Sequence, residues 1–264
     1  MSDELGAPSG VPFGATTPDS SFTSLLSDRG LAPTWELGPG TLDAAEATTV
    51  LALRFSAGVV MVGDRQATAG NVVAHRRVQK VYPADSFSAV AISGTAGIAI
   101  ELTRLFQTEL EHYEKLEGNR LSLEGKANYL ARMVRQQLPL AMQGLVVVPI
   151  FAGYDITSGT GRLYSFDVVG GRYEEKDFAA TGSGSPEALS YLRANFEDDL
   201  DEAAALGLAL GALVTAAEED TATGGPDLRR GIFPSVVTIT PDGYSEVAED
   251  HVAEMSATAL EARR

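Results

Sequence analysis

Two apolar runs constrain this chain more than any other feature. Thr48-Thr49-Val50-Leu51-Ala52-Leu53-Arg54-Phe55 reaches a turn at Ser56-Ala57-Gly58 and resumes as Val59-Val60-Met61-Val62-Gly63-Asp64-Arg65. Runs rich in β-branched residues, joined by a short glycine-containing turn, form a β-hairpin. The hairpin also divides the chain. The 47 residues before it are rich in Gly, Pro, Ser and Thr with scattered apolar positions, and such a segment buries little by itself. By composition it is either a tail or a removable leader.

Beyond the hairpin the pattern changes period twice. Gln66-Ala67-Thr68-Ala69-Gly70-Asn71 reads as a polar loop ending in a Gly-Asn turn. Short strands are expected between Val72 and Val78 and at Lys80-Val81-Tyr82, and a buried strand at Ser86 to Ser93, ending at Gly94-Thr95-Ala96-Gly97. Ala99, Leu102, Leu105, Phe106, Leu110, Tyr113 and Leu116 then recur at three- and four-residue spacing, the apolar face of a helix closed by Gly118. A second helix starts near Ser122 and stops or kinks at Pro139. A strand run covers Val146 to Tyr154, where Pro149 suggests an edge or a bulge. Alternating stretches follow near Arg162 and Tyr173. Ser185 suits the cap of a helix with Pro186 at its first position. A helix rich in small residues runs from Asp201 to about Glu218, then come a hairpin around Pro241-Asp242-Gly243 and a closing helix. Runs of strands alternating with pairs of helices favour an α+β fold, in four layers of helices, two sheets and helices.

Of 264 residues, 44% are hydrophobic, enough for one sizeable core. With no cysteine, disulfides and thiolate chemistry are excluded. A net charge of −16 disfavours nucleic-acid binding. No apolar run approaches the roughly 18 residues of a membrane span, and the amino terminus lacks the basic and apolar regions of a secretory signal. His75, His112 and His251 are far apart, so no metal site is expected, and no cofactor. From these residues alone the reading ends at an acidic α+β domain. One chemical possibility stands out at Thr48. If residues 1–47 are removed, Thr48 owns both a hydroxyl and a free α-amine, a nucleophile with its own base.

Six segments occur in a specific order: Thr48-Thr49-Val50, Gly63-Asp64-Arg65, Lys80-Val81-Tyr82, Ser93-Gly94-Thr95-Ala96-Gly97, Gly182-Ser183-Gly184-Ser185 and Asp220 through Leu228. Together they resemble the β subunits of actinobacterial 20S proteasomes, threonine peptidases of the N-terminal-nucleophile type, over essentially all of residues 48–264. Glu109 to Lys115, Ala141 to Leu145 and Gly231 to Pro234 resemble the same bacterial branch.

The resemblance implies an αββα sandwich in residues 48–264 and a self-removed propeptide in residues 1–47. It implies that Thr48 is the nucleophile and its α-amine the base. Lys80 would be a fixed cation beside it, with Asp64 pairing Lys80, and the Gly94 N–H would serve the oxyanion. Ser183, Asp220 and Thr223 would support the amine. Asp64 and Lys80 read without the family are an ordinary ion pair, and Ser183, Asp220 and Thr223 a helix start and a capping loop. Substrate would lie as a strand beside Thr68, Gly94 and Ala96. The side chain before the cut would enter a pocket of Ala67, Val78, Ile92, Ala96 and Ile100, all apolar, although these also fit an ordinary core. At the propeptide junction Ala47 stands where the family usually has Gly. Alanine enters turns with positive φ at a cost, so slower self-processing is expected.

The resemblance further implies a cytoplasmic four-ring, 28-subunit particle. This chain would form seven-membered inner rings between rings of α subunits, fed by a ring ATPase with unfolded proteins, some carrying a ubiquitin-like tag. Two alternatives remain: a processing-deficient structural β subunit, and another N-terminal-nucleophile amidohydrolase.

Overall fold

The hairpin at Thr48 is the centre of the first sheet. The computed structural model describes residues 48–69 and 72–263. The expected propeptide, Ala47 and the Gly70-Asn71 turn lie outside them. Strand β1 (Thr49–Phe55) pairs antiparallel with β2 (Gly58–Gly63), Phe55 opposite Gly58, so Ser56 and Ala57 form the turn. β2 continues onto β11 (Ser235–Thr240) and β12 (Gly243–Glu246), and β1 is flanked by β10 (Phe178–Gly182). The order β10-β1-β2-β11-β12 places the hairpin between neighbours on both sides.

A second antiparallel sheet runs β5 (Val81–Asp85), β6 (Ser88–Gly94), β7 (Val147–Asp155), β8 (Thr160–Phe166) and β9 (Arg172–Glu175). A small ribbon, β3 (Ala67–Ala69) with β4 (Val72–His75), stands apart. The helices are α1 (Ala96–Glu117), α2 (Leu123–Gln136), the single-turn α3 (Leu138–Ala141), α4 (Ser185–Asn195), α5 (Glu202–Glu219) and α6 (Glu249–Glu261).

Side-chain alternation along β1 and β2 builds the layers. Val50, Ala52, Val59 and Met61 face the second sheet and pack on Ala89, Ala91, Ile150, Ala152 and Leu163. Leu51, Leu53, Val60 and Val62 face the other way, onto Leu192 of α4, Leu206, Leu210 and Leu213 of α5 and Val252 of α6. On the far side of the second sheet, Val90, Ile92, Phe151 and Tyr164 pack under Leu102 and Phe106 of α1 and Leu130 and Val134 of α2. The result is helices, sheet, sheet, helices: the four-layer αββα sandwich. Each fully buried aliphatic side chain in these layers contributes about 1.5–3 kcal/mol. The layer between the sheets is rich in alanine, which lets the two sheets approach closely.

Several local readings are corrected. Gln66 to Asn71 is not wholly a loop, because residues 67–69 form β3. Phe178–Gly182 is a strand, where Ala179 to Gly184 reads from the sequence only as the approach to the helix at Ser185. Pro149 lies within the central strand β7, opposite Ile92 of β6, but the ladder to β8 begins only at Ile150. No cross-strand N–H is therefore demanded of Pro149 on its open side. Leu105, Tyr113 and Leu116 of α1 are exposed rather than packed on the sheet. Gly184, not Ser185, caps α4, and the Ser185 hydroxyl instead donates to Gly182 O at 2.7 Å. Pro139 falls in α3, directly after α2 ends, as expected. Among the described residues no helix is long and apolar enough to cross a membrane.

Candidate active site

The site gathers where β1 begins, at one end of the two sheets. Thr48 is 5% exposed, and its carbonyl accepts the N–H of Ser183 at 3.2 Å. In the full-length chain its nitrogen is an amide, so the hydroxyl is present but the proposed base is not.

The end of β2 turns Asp64 inward. The residue is wholly buried, and its carboxylate collects four donors. Oδ1 accepts from Thr49 N at 2.9 Å and Lys80 Nζ at 2.5 Å. Oδ2 accepts from Gln66 N and Gly224 N, both at 2.9 Å. Lys80, immediately before β5, is 3% exposed and also donates to Gln66 O. Burial pushes the Asp64 carboxyl up from its usual value, against the Lys80 charge and the Lys80, Thr49 and Gly224 hydrogen bonds. Burial pushes the Lys80 ammonium down, against the Asp64 charge. All four donors point at the ionised carboxylate, and a protonated one would have to give up a bond. The pair therefore stands as carboxylate and ammonium, with an ammonium more easily deprotonated than a surface lysine.

Gly94 ends β6 with φ +104°. A Cβ there would meet Val146 O at 2.1 Å, so a side chain is excluded twice, by backbone conformation and by space. Thr95 then donates its N–H to Val146 O at 2.8 Å and caps α1. Thr48, Lys80 and Gly94 line one cavity together with Ala67, Val78, Ile92, Ala96 and Ile100, the five expected pocket residues. Gln79, Tyr82 and Ala99 also line it and were not anticipated. Apart from Lys80 this wall carries no ionisable side chain except the Tyr82 phenol, whose hydroxyl donates to Gln79 O at 2.6 Å. Thr68 is buried beside Ala67 but does not line the cavity.

A second polar group lies against β1 from the other side. Gly182, with φ +108°, passes so close to Thr48 that a Cβ would meet Thr48 O at 1.7 Å. This close approach brings Ser183 and Gly184 to the site. The Thr223 hydroxyl donates to Asp220 Oδ2 at 2.6 Å, and Ala222 N to Asp220 Oδ1 at 3.0 Å. Partial burial raises the Asp220 carboxyl, but hydrogen bonds from the Ser183 and Thr223 hydroxyls and from Ala222 N–H hold it below the usual range. Sequence reasoning missed Thr49 entirely. It is fully buried, its hydroxyl lies 2.6 Å from Thr223 Oγ1, and it accepts the Gly184 N–H at 2.9 Å. The only signal was its place beside Thr48, because nothing local shows what a buried threonine faces across 174 residues. Among the described residues no cluster of His, Cys, Asp and Glu could hold a metal.

The family model described as "Proteasome subunit" matches residues 44–227. A protein of Acidimicrobium ferrooxidans, "Proteasome subunit beta", is 52% identical over 241 residues, covering 90% of this chain and 88% of its own. Proteins of the same description from Streptomyces griseus and Stackebrandtia nassauensis are 49% and 48% identical, covering 96% and 98% of this chain and 92% of theirs. The chain therefore belongs to the proteasome family, as a β subunit of the actinobacterial type.

Proposed function

We propose that this chain is the catalytic β subunit of a 20S proteasome, a threonine endopeptidase activated when residues 1–47 are cut away. The observation that carries the reading is the convergence of Thr48, Lys80 and the glycine-only turn at Gly94 on one largely apolar cavity, with Asp64 holding Lys80 from behind.

In this reading the Thr48 hydroxyl attacks the scissile carbonyl carbon, and its proton passes to the Thr48 α-amine. An unperturbed α-amine titrates near pH 8, close to working conditions. The developing oxyanion accepts from the Gly94 N–H. Lys80 supplies fixed positive charge beside the nucleophile, and Asp64 holds it. The proton then moves to the departing amine, leaving an ester on Thr48. Water, deprotonated by the same amine, opens the ester and regenerates the hydroxyl. Ser183, Asp220 and Thr223 support the amine. Substrate backbone adds beside Thr68, Gly94 and Ala96, and the apolar cavity takes the side chain before the cut.

Proteasome subunits assemble with one another, and the reading extends to a cytoplasmic four-ring particle with α subunits. A ring ATPase would deliver unfolded, in part ubiquitin-like-tagged, proteins. The test co-expresses this chain with α subunits. Wild-type particles should carry chains starting at Thr48 by mass spectrometry and be labelled there by an epoxyketone. Thr48→Ala particles should stay full-length and inactive. An unlabelled, inactive wild type would refute the reading. Ala47 favours a second reading, a structural subunit that never completes processing, and persistent full-length chains in intact wild-type particles would establish it. Membership of the proteasome family removes the ground for the other amidohydrolase reading.

A further inference from the structure

The polar groups flanking Thr48 form two sets, Asp64 with Lys80 on one side and Asp220 with Thr223 and Ser183 on the other. Thr49 touches both. Its N–H donates to Asp64 Oδ1 at 2.9 Å and its carbonyl accepts the Asp64 N–H at 3.1 Å. Its hydroxyl sits between Gly184 N, at 2.9 Å, and Thr223 Oγ1, at 2.6 Å. Donor counting fixes the direction of this chain. The single Thr223 hydroxyl proton goes to Asp220 Oδ2. Thr223 can therefore only accept from Thr49, and Thr49 in turn accepts from the Gly184 N–H. The chain runs from the Gly184 N–H to the Thr49 hydroxyl, from there to the Thr223 hydroxyl and finally to the accepting Asp220 carboxylate, with no freedom to reverse. The peptide link between Thr48 and Thr49 is held at both ends as well, since Thr48 O accepts from Ser183 N and Thr49 N donates to Asp64.

We infer that Thr49 is a positioning residue for the proposed reaction: its hydroxyl ties the loop carrying Asp220 and Thr223 to the strand carrying Thr48, and so sets the aim of the nucleophile. The inference rests on the reading of Thr48 as nucleophile. Thr49 acts through its neighbours and touches no substrate. Close packing around the relay supports a built arrangement. A Cβ on Gly184 would lie 2.7 Å from Thr223 Oγ1 and 2.9 Å from Thr49 Oγ1, so this loop approaches only because residue 184 is glycine. The two hydroxyls of the relay are also shut off from water, with Thr49 fully buried and Thr223 4% exposed, and only the Asp220 end is partly open.

The test separates hydroxyl from shape. Thr49→Val keeps the branched outline and removes the hydroxyl, whereas Thr49→Ser keeps the hydroxyl and removes the methyl. Particles co-expressed with α subunits are assayed on a fluorogenic peptide, and turnover is expressed per Thr48 labelled by an epoxyketone. Thr49→Val should lower kcat at least tenfold with KM within twofold of wild type, and Thr49→Ser should stay within threefold of wild type. Wild-type turnover in Thr49→Val would overturn the inference, as would a Thr49→Ser as slow as Thr49→Val, which would make packing the cause. If Thr49→Val does not assemble, Thr49→Ser and Thr49→Ala give the same comparison in a smaller side chain. A tenfold advantage of Ser over Ala upholds the hydroxyl role, and equality rejects it. An inactive, unlabelled wild type overturns the underlying reading and the inference with it. A labelled, active wild type beside an equally active Thr49→Val overturns the inference alone.

Discussion

At the scale of residues, Asp64 collects more donors than any other carboxylate among the described residues. Three backbone N–H groups and Lys80 all donate to it in a site without solvent. Asp64→Asn would turn an amide NH₂ toward some of these donors and leave Lys80 without its counter-charge. Breaking a buried pair by removing one partner costs about 3–5 kcal/mol. Urea unfolding should show a loss in that range, and peptide hydrolysis should fall at least a hundredfold. Gly94 and Gly97 make a matched pair. Gly94→Ala places a Cβ 2.1 Å from Val146 O at a positive φ, so it should destabilise the fold by at least about 2 kcal/mol and abolish activity. A Cβ at Gly97, in the first turn of α1, meets nothing within 4 Å. Gly97→Ala should raise stability by about 0.5–1 kcal/mol in the same urea-unfolding assay. At the cavity, peptides with Tyr before the cut should be hydrolysed faster than those with Arg or Glu, because its wall is mainly aliphatic.

At the scale of elements, the second sheet is fastened to α2 by an ion pair that catalysis does not use. Lys126 of α2, 5% exposed, pairs with Asp85 at the end of β5, which also accepts from Ser88 Oγ at 2.6 Å and Phe87 N at 3.0 Å. Burial would raise the Asp85 carboxyl, but the Lys126 charge and these hydrogen bonds outweigh it and hold it below the usual carboxylate range. A depressed folded-state pKa contributes stability that is present above the unfolded value, near 4, and lost as pH falls through the folded one. Acid titration of the melting temperature should therefore fall more steeply below pH 4 in the wild type than in Asp85→Asn. Lys126→Met should cost about 1–3 kcal/mol at neutral pH, since it leaves the partly buried Asp85 with its Ser88 and Phe87 hydrogen bonds but without a counter-charge. Neither residue announced itself in the sequence. Lys126 lies three residues after the first residue of a helix whose apolar face was legible, and only the packing of α2 over the β5–β6 turn makes it an interior cation.

At the scale of the whole molecule, α1 shows where a one-dimensional pattern stops. Its apolar positions form one broad arc, and only part of that arc is buried. Leu102, Phe106 and Leu110 are buried on the sheet, while Leu105 and Leu116 share an outer side, 48% and 70% exposed, and Tyr113, on the sheet side but nearer the helix end, is 39% exposed. The three-and-four spacing predicts a helix correctly, but it cannot say whether a leucine packs on its own sheet or on another chain. An exposed apolar stripe on a subunit of an assembling family is expected to be covered in the particle. Leu116→Glu should reduce the fraction of chain in large particles by size-exclusion chromatography while leaving the melting temperature of the unassembled subunit within about 2 °C.

The sequence by itself determined the elements with strong local signals: the hairpin at Thr48, the helix starting after Ser122 and the stop at Pro139, whereas Asp64, Lys80 and Gly94 stood out only through the family resemblance. Hydrophobic period, turn chemistry and fixed backbone limits act within a few residues and can be read there. Tertiary structure alone decided that Phe178–Gly182 is a strand, because its pairing partner β1 lies more than a hundred residues away. It alone excused Pro149 in a central strand, through where the β8 ladder happens to begin. It alone turned Thr49 into the meeting point of two polar networks. In each case the deciding contact is long-range, and its energy depends on a neighbour that no local window contains.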